Sequence, residues 1–156
     1  MAEFRFAGTW RTTAEPDAVW EVLSDPHQWP DWWDAIERIE ATDGWREGEP
    51  VRLVFRTPAP LPKLSTDMRA TELSDRQLTL EGDGALAGDG RLQVRSHDAG
   101  SEIDYDLRLR TTKFWLRPLE PMLRSATRDG DAEALREAGE RLAALAGGEL
   151  VQELAP

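Results

Sequence analysis

Residues 14–33 read Ala14-Glu15-Pro16-Asp17-Ala18-Val19-Trp20-Glu21-Val22-Leu23-Ser24-Asp25-Pro26-His27-Gln28-Trp29-Pro30-Asp31-Trp32-Trp33, and this stretch decides the fold. Pro16 suits the first turn of a helix, where its missing N–H would have no partner anyway, and Asp17 and Glu21 favour the positive helix start. Val19, Trp20, Val22 and Leu23 then form an apolar face at helical spacing. Asp25-Pro26 stops that helix. Trp29-Pro30-Asp31-Trp32-Trp33 opens a second short helix holding three of the seven tryptophans. Each indole would bury a large apolar area, so the connector must cover something, either an ordinary core or the mouth of a cavity.

Upstream, Phe4, Phe6, Gly8, Trp10 and Thr12 alternate with polar or small residues and predict a strand with one aromatic face. Downstream, alternation predicts strands over 36–41, 51–57, 64–70, 78–82 and 92–94, with a Gly/Asp-rich turn from Asp83 to Gly90. The last strand is the cleanest: Ile103, Tyr105, Leu107, Leu109 and Thr111 share one face, and Asp104, Asp106, Arg108 and Arg110 the other. From Phe114 the period becomes helical, with a stripe of Trp115, Leu119, Met122, Leu123, Ala126, Gly130, Ala134, Leu135, Ala138, Leu142 and Leu145. Pro118 and Pro121 place the start of the long helix near Pro121, and Gly147-Gly148 ends it. The expectation is an α+β domain over residues 1–146, a curved seven-stranded antiparallel sheet around a C-terminal helix, with 147–156 a flexible tail.

Composition narrows the function. The chain has 156 residues, no cysteine and a formal net charge of −11. It therefore has no disulfide framework or thiolate nucleophile, and its charge opposes binding to nucleic acid or stable association with an anionic membrane. The N-terminus lacks the basic and apolar regions of a signal peptide, which predicts a cytoplasmic protein.

The run from Ala14 to Trp33 resembles the START-like, or SRPBCC, superfamily of polyketide cyclase/dehydrase and lipid transport proteins. It matches the pattern A-x-P-x-x-V-W-x-x-L-x-D-P-x-x-x-P-x-W-W at every fixed position. The resemblance continues through the sheet to Thr111-Thr112 and more loosely to about Leu142. It implies a helix-grip fold, in which the sheet holds the C-terminal helix with a tunnel between them. Around Asp129-Gly130-Asp131 the chain departs from the bulky residues of such relatives.

Gly82 on the sheet, opposite Ala126, Gly130 and Ala134 on the helix stripe, predicts unfilled apolar volume suited to a hydrophobic small molecule. Its expected ligand-binding walls are Trp10, Phe55, Met68, Leu80, Tyr105, Leu107 and Leu109 from the sheet. Trp29 and Trp33 would come from the connector, and Trp115, Met122, Ala126, Gly130 and Ala134 from the helical region. No cofactor and no metal are expected: His27 and His97 lie in connectors away from the cavity, and Asp129 and Asp131, two apart, cannot share a helix face. No glycine-rich loop leads from a strand into a helix to hold phosphate. The single tyrosine, Tyr105, is the one candidate acid. The sequence thus favours a carrier of a lipid-like or polyketide-like ligand, with an aromatase/cyclase using Tyr105 and the inner threonines as the alternative.

Overall fold

The computed structural model describes residues 3–41, 44–57, 59–119, 121 and 131–156. Strand β1 (Glu3–Thr12) leads into helix α1 (Pro16–Leu23), a 3-10 turn (Pro26–Gln28) and the single-turn helix α2 (Trp29–Trp32). Strands β2 (Ile36–Glu40), β3 (Pro50–Phe55), β4 (Leu64–Ser74), β5 (Gln77–Gly84), β6 (Leu86–His97) and β7 (Gly100–Thr111) follow. A 3-10 segment (Phe114–Leu119), helix α3 (Asp131–Leu145) and strand β8 (Leu150–Leu154) complete the order. The strands form one antiparallel, unclosed sheet in the order β2-β3-β4-β5-β6-β7-β1-β8. This is the expected helix-grip architecture with eight strands rather than seven.

Local chemistry accounts for the connector. Pro16 occupies the first turn of α1, and Val19, Val22 and Leu23 are buried. The Asp25 carboxylate then accepts the His27 backbone N–H at 3.1 Å and the Gln28 side-chain amide at 3.2 Å, which caps the 3-10 turn. Trp29 Nε1 donates to the Leu23 carbonyl at 2.9 Å, so α2 is tied to the end of α1. That bond satisfies one of the carbonyls that a helix end leaves unpaired.

The C-terminal segment corrects the expectation of a flexible tail. Gly147, at φ +85°, reverses the chain after α3, and Gly148 N–H bonds the Ala143 carbonyl at 2.8 Å. Thr13 and Glu149 are joined by backbone and side-chain bonds of 2.9 and 2.8 Å, and β8 then pairs with β1. A five-residue strand without regular alternation carries little local signal, and its partner lies some 140 positions away. The Asp83–Gly90 turn is a second correction: the chain reverses about Ala85, and Gly88 and Gly90 belong to the β6 ladder.

Candidate functional site

The inner face of the sheet is apolar along its length. Trp10, Val51, Leu53, Met68, Leu80, Val94, Ile103, Tyr105 and Leu109 are buried in one core with the connector. At the β1–β7 end this core becomes an aromatic cluster. Trp10 stacks on Tyr105 with centroids 4.1 Å apart and meets Trp32 edge-on at 6.2 Å. Trp32 stacks on Trp33 at 6.2 Å, and Phe6 and Phe55 meet Trp33 edge-on at 5.6 and 6.0 Å. Trp29 packs on Trp45 at 5.4 Å, which locks the connector onto the loop after β2. Offset and edge-on contacts of this kind suit the ring quadrupoles.

A cleft of about 30 Å³ opens between this cluster and α3, walled by Phe6, Trp10, Trp29, Trp32, Trp33, Leu92, Tyr105, Leu107, Leu135 and Ala138. Trp10, Trp29, Trp32 and Trp33 supply much of its wall. Gly82 opens no void: Thr66 Oγ1 and Met68 Sδ stand 2.6 and 2.7 Å from where its Cβ would lie, so neighbouring side chains occupy the space. Gly139 serves α3 differently. Its missing side chain lets the helix close on the Trp10 ring, whose Cδ1 and Nε1 would be only 2.8 Å from an added Cβ.

Of the residues read from the sequence, Trp10, Trp29, Trp33, Tyr105 and Leu107 line the cleft together. Phe55, Met68, Leu80 and Leu109 are buried in the core but do not wall it. Two placements are corrections. Ala134 is exposed, because α3 buries Ala138, Gly139, Leu142 and Ala143, and at 100° per residue Ala134 falls more than a quarter-turn from the centre of that face. Trp115 is 47% exposed and Phe114 79%, because the tight 3-10 turn directs Leu116 inward instead. Met122, Ala126 and Gly130 lie outside the described residues. Phe6, Trp32, Leu92, Leu135 and Ala138, with Arg91 and Asp106, complete the walls. Strand alternation and the tryptophan run already marked Phe6 and Trp32, whereas Ala138 gave no signal beyond its place on the stripe.

Few polar groups enter. Thr12 and Ser101 hydroxyls bond each other at 2.7 Å, and Thr66 donates to the Asp83 carbonyl at 3.3 Å. At the rim, two 3.1 Å bonds from the Arg5 guanidinium hold the Asp106 carboxyl below its ordinary pKa. Glu153 on β8 has the opposite shift: burial pushes its carboxyl up, against the pull of Arg136. Among the described residues no group of three His, Asp or Glu is placed to hold a metal ion, and no helix is long and apolar enough to cross a membrane.

A larger groove, about 890 Å³, crosses the outer face and is lined by Glu3, Arg69, Glu81, Asp83, Asp89, Arg108 and Arg110 among others. Within it Arg69 and Asp83 pair at 3.5 Å, and it is open to solvent. Most of its lining surface is polar, whereas that of the cleft is almost wholly apolar.

Solved structures share this architecture at low identity. A conserved protein from Geobacillus kaustophilus is 11% identical, with a TM-score of 0.62 over 94% of this chain and 99% of its own. A START superfamily protein from Mycobacterium smegmatis is 16% identical, with a TM-score of 0.60 over 88% of this chain and 98% of its own. The Zhui aromatase/cyclase from a Streptomyces species is 16% identical, with a TM-score of 0.59 over 90% of this chain and 94% of its own. Comparison with curated protein sequences gives no match. The family model for polyketide cyclase/dehydrase and lipid transport matches residues 3–147, so an unclosed antiparallel sheet gripping a C-terminal helix is here the fold of a member of that family.

Proposed function

We propose that this protein binds a hydrophobic small molecule, lipid-like or polyketide-like, between the sheet and α3, and that it does so as a cytoplasmic carrier rather than a catalyst. The observation that carries this reading is the unbroken aromatic wall of Trp10, Trp29, Trp32, Trp33 and Tyr105 facing α3 around a cleft. Apolar concave surfaces with few polar groups are the usual seat of such ligands. The family, which covers lipid transport as well as cyclases, agrees with it. Because the cleft holds only about 30 Å³, a ligand enters when α2 and its indoles move away from α3. The free energy of that opening lowers the apparent affinity.

Intrinsic tryptophan fluorescence tests this directly. Titration with a long-chain fatty acid and a polycyclic aromatic ketone should give saturable quenching by at least one of them. Leu135→Trp, at the partly exposed cleft wall, should fold normally and lose that response. Quenching that never saturates, or that Leu135→Trp leaves unchanged, overturns the proposal. Turnover of a poly-β-ketone by the wild type, lost in Tyr105→Phe by roughly 10²–10⁴-fold, would replace carriage with catalysis.

A further inference from the structure

The aromatic cluster uses its indole N–H groups in two ways. Trp29 spends its donor on architecture, bonding the Leu23 carbonyl at 2.9 Å. Trp10 and Trp32 do not. They are 2% and 3% exposed, they wall the same cleft with ring centroids 6.2 Å apart, and neither Nε1 has a hydrogen-bond partner among the described residues, a state shared by Trp45, which is buried away from the cleft. Buried donors are nearly always paired in folded proteins, so two unpaired ones in one cleft point to an acceptor that arrives from outside the chain.

We infer that the cleft selects ligands carrying a neutral acceptor oxygen, a ketone, ester or ether on an otherwise apolar skeleton, and that the Trp10 and Trp32 indoles donate to it. This rests on the proposed binding of an apolar ligand. The charge around the cleft sets the class. Its only charged wall residues among those described are Arg91, which is exposed, and Asp106, which is held by Arg5. A carboxylate or phosphate head would thus lose its water inside the cluster without a buried cation to replace it. A pure hydrocarbon would fill the space but leave both donors unpaired. A site built to hydrogen-bond its ligand discriminates against the analogue that lacks the acceptor.

The probes are 1-indanone and indane, which share a bicyclic skeleton and differ by one carbonyl. Binding to the full-length protein is followed by calorimetry and by the seven indole N–H resonances in ¹⁵N-edited spectra, assigned with Trp10→Phe and Trp32→Phe. 1-Indanone should bind about tenfold more tightly than indane, the size expected for one net hydrogen bond. It should also move the Trp10 or Trp32 indole proton downfield, whereas indane should not. The preference should fall towards unity in at least one Trp→Phe variant while indane affinity is retained. Equal affinities with unmoved indole protons would overturn this inference and leave apolar binding standing. Failure of both probes to bind would overturn both. If a variant does not fold, the two probes on the wild-type protein still decide.

Discussion

The two faces of the sheet differ in a way that opening size alone would misjudge. The outer face carries the larger depression, about 890 Å³, lined by charged side chains such as Arg69 and Asp83, and around it run cross-strand pairs such as Arg5–Asp106, Arg52–Asp67 and Arg95–Asp104, each at about 3 Å and largely open to water. The inner face has a cleft of about 30 Å³ walled by fully desolvated indoles. Exposed ion pairs contribute little and are screened by salt, whereas buried apolar and polar groups are felt at full strength. Desolvation reports where a ligand could be held.

The contrast is broken most severely by removing an inner indole. Trp29→Ala deletes a ring packed on Trp32, Trp33 and Trp45 together with the bond to Leu23, and should cost about 3–5 kcal/mol, read by urea unfolding. A loss below about 1 kcal/mol would mean that the connector is not part of the core.

Gly139→Ala sharpens the packing claim, because helix propensity and packing predict opposite signs. Alanine should gain up to about 1 kcal/mol in a helix interior. The Trp10 ring, 2.8 Å from the new methyl group, should more than cancel that, giving a net loss of about 1 kcal/mol. A stabilised variant would show that α3 can move off Trp10 freely.

Smaller effects belong to the carboxylates, and their signs are opposite. Asp106 is depressed by Arg5, so its contribution is present above the ordinary carboxylate range and disappears as pH falls through the lowered value. Asp106→Asn should therefore lower the melting temperature slightly at neutral pH and have no effect in strong acid. Glu153 is raised by burial, so its cost to the fold appears as pH rises through the elevated value. Glu153→Gln should raise the melting temperature slightly at neutral pH, and that gain should vanish on acidification. Parallel pH profiles for the two variants would contradict the assignment.

Smallest of all, Trp115→Ala should change stability within about 0.5 kcal/mol, although it removes a tryptophan, because that ring is 47% exposed. Set beside Trp29→Ala, it measures what the connector gains by being covered.

The sequence by itself determined the elements that depend on neighbours close in the chain. Pro16 and Asp25-Pro26 bounded α1, period-two alternation marked the inner row from Ile103 to Thr111, and Gly147-Gly148 ended α3. The 20-residue run through Trp33 was specific enough to identify the fold family. The tertiary structure decided what depends on distant partners. β8 exists because β1 offers an open edge, which five residues without alternation cannot announce. Which flank of α3 is buried was settled by contact with Trp10 at Gly139, and that rotation put Ala134 in water. Whether small residues leave a void was also a three-dimensional question, since Met68 and Thr66 reach into the space that Gly82 vacates. Spacing along a chain reports the face a side chain shares with its near neighbours, while the volume left over is fixed only when all faces meet.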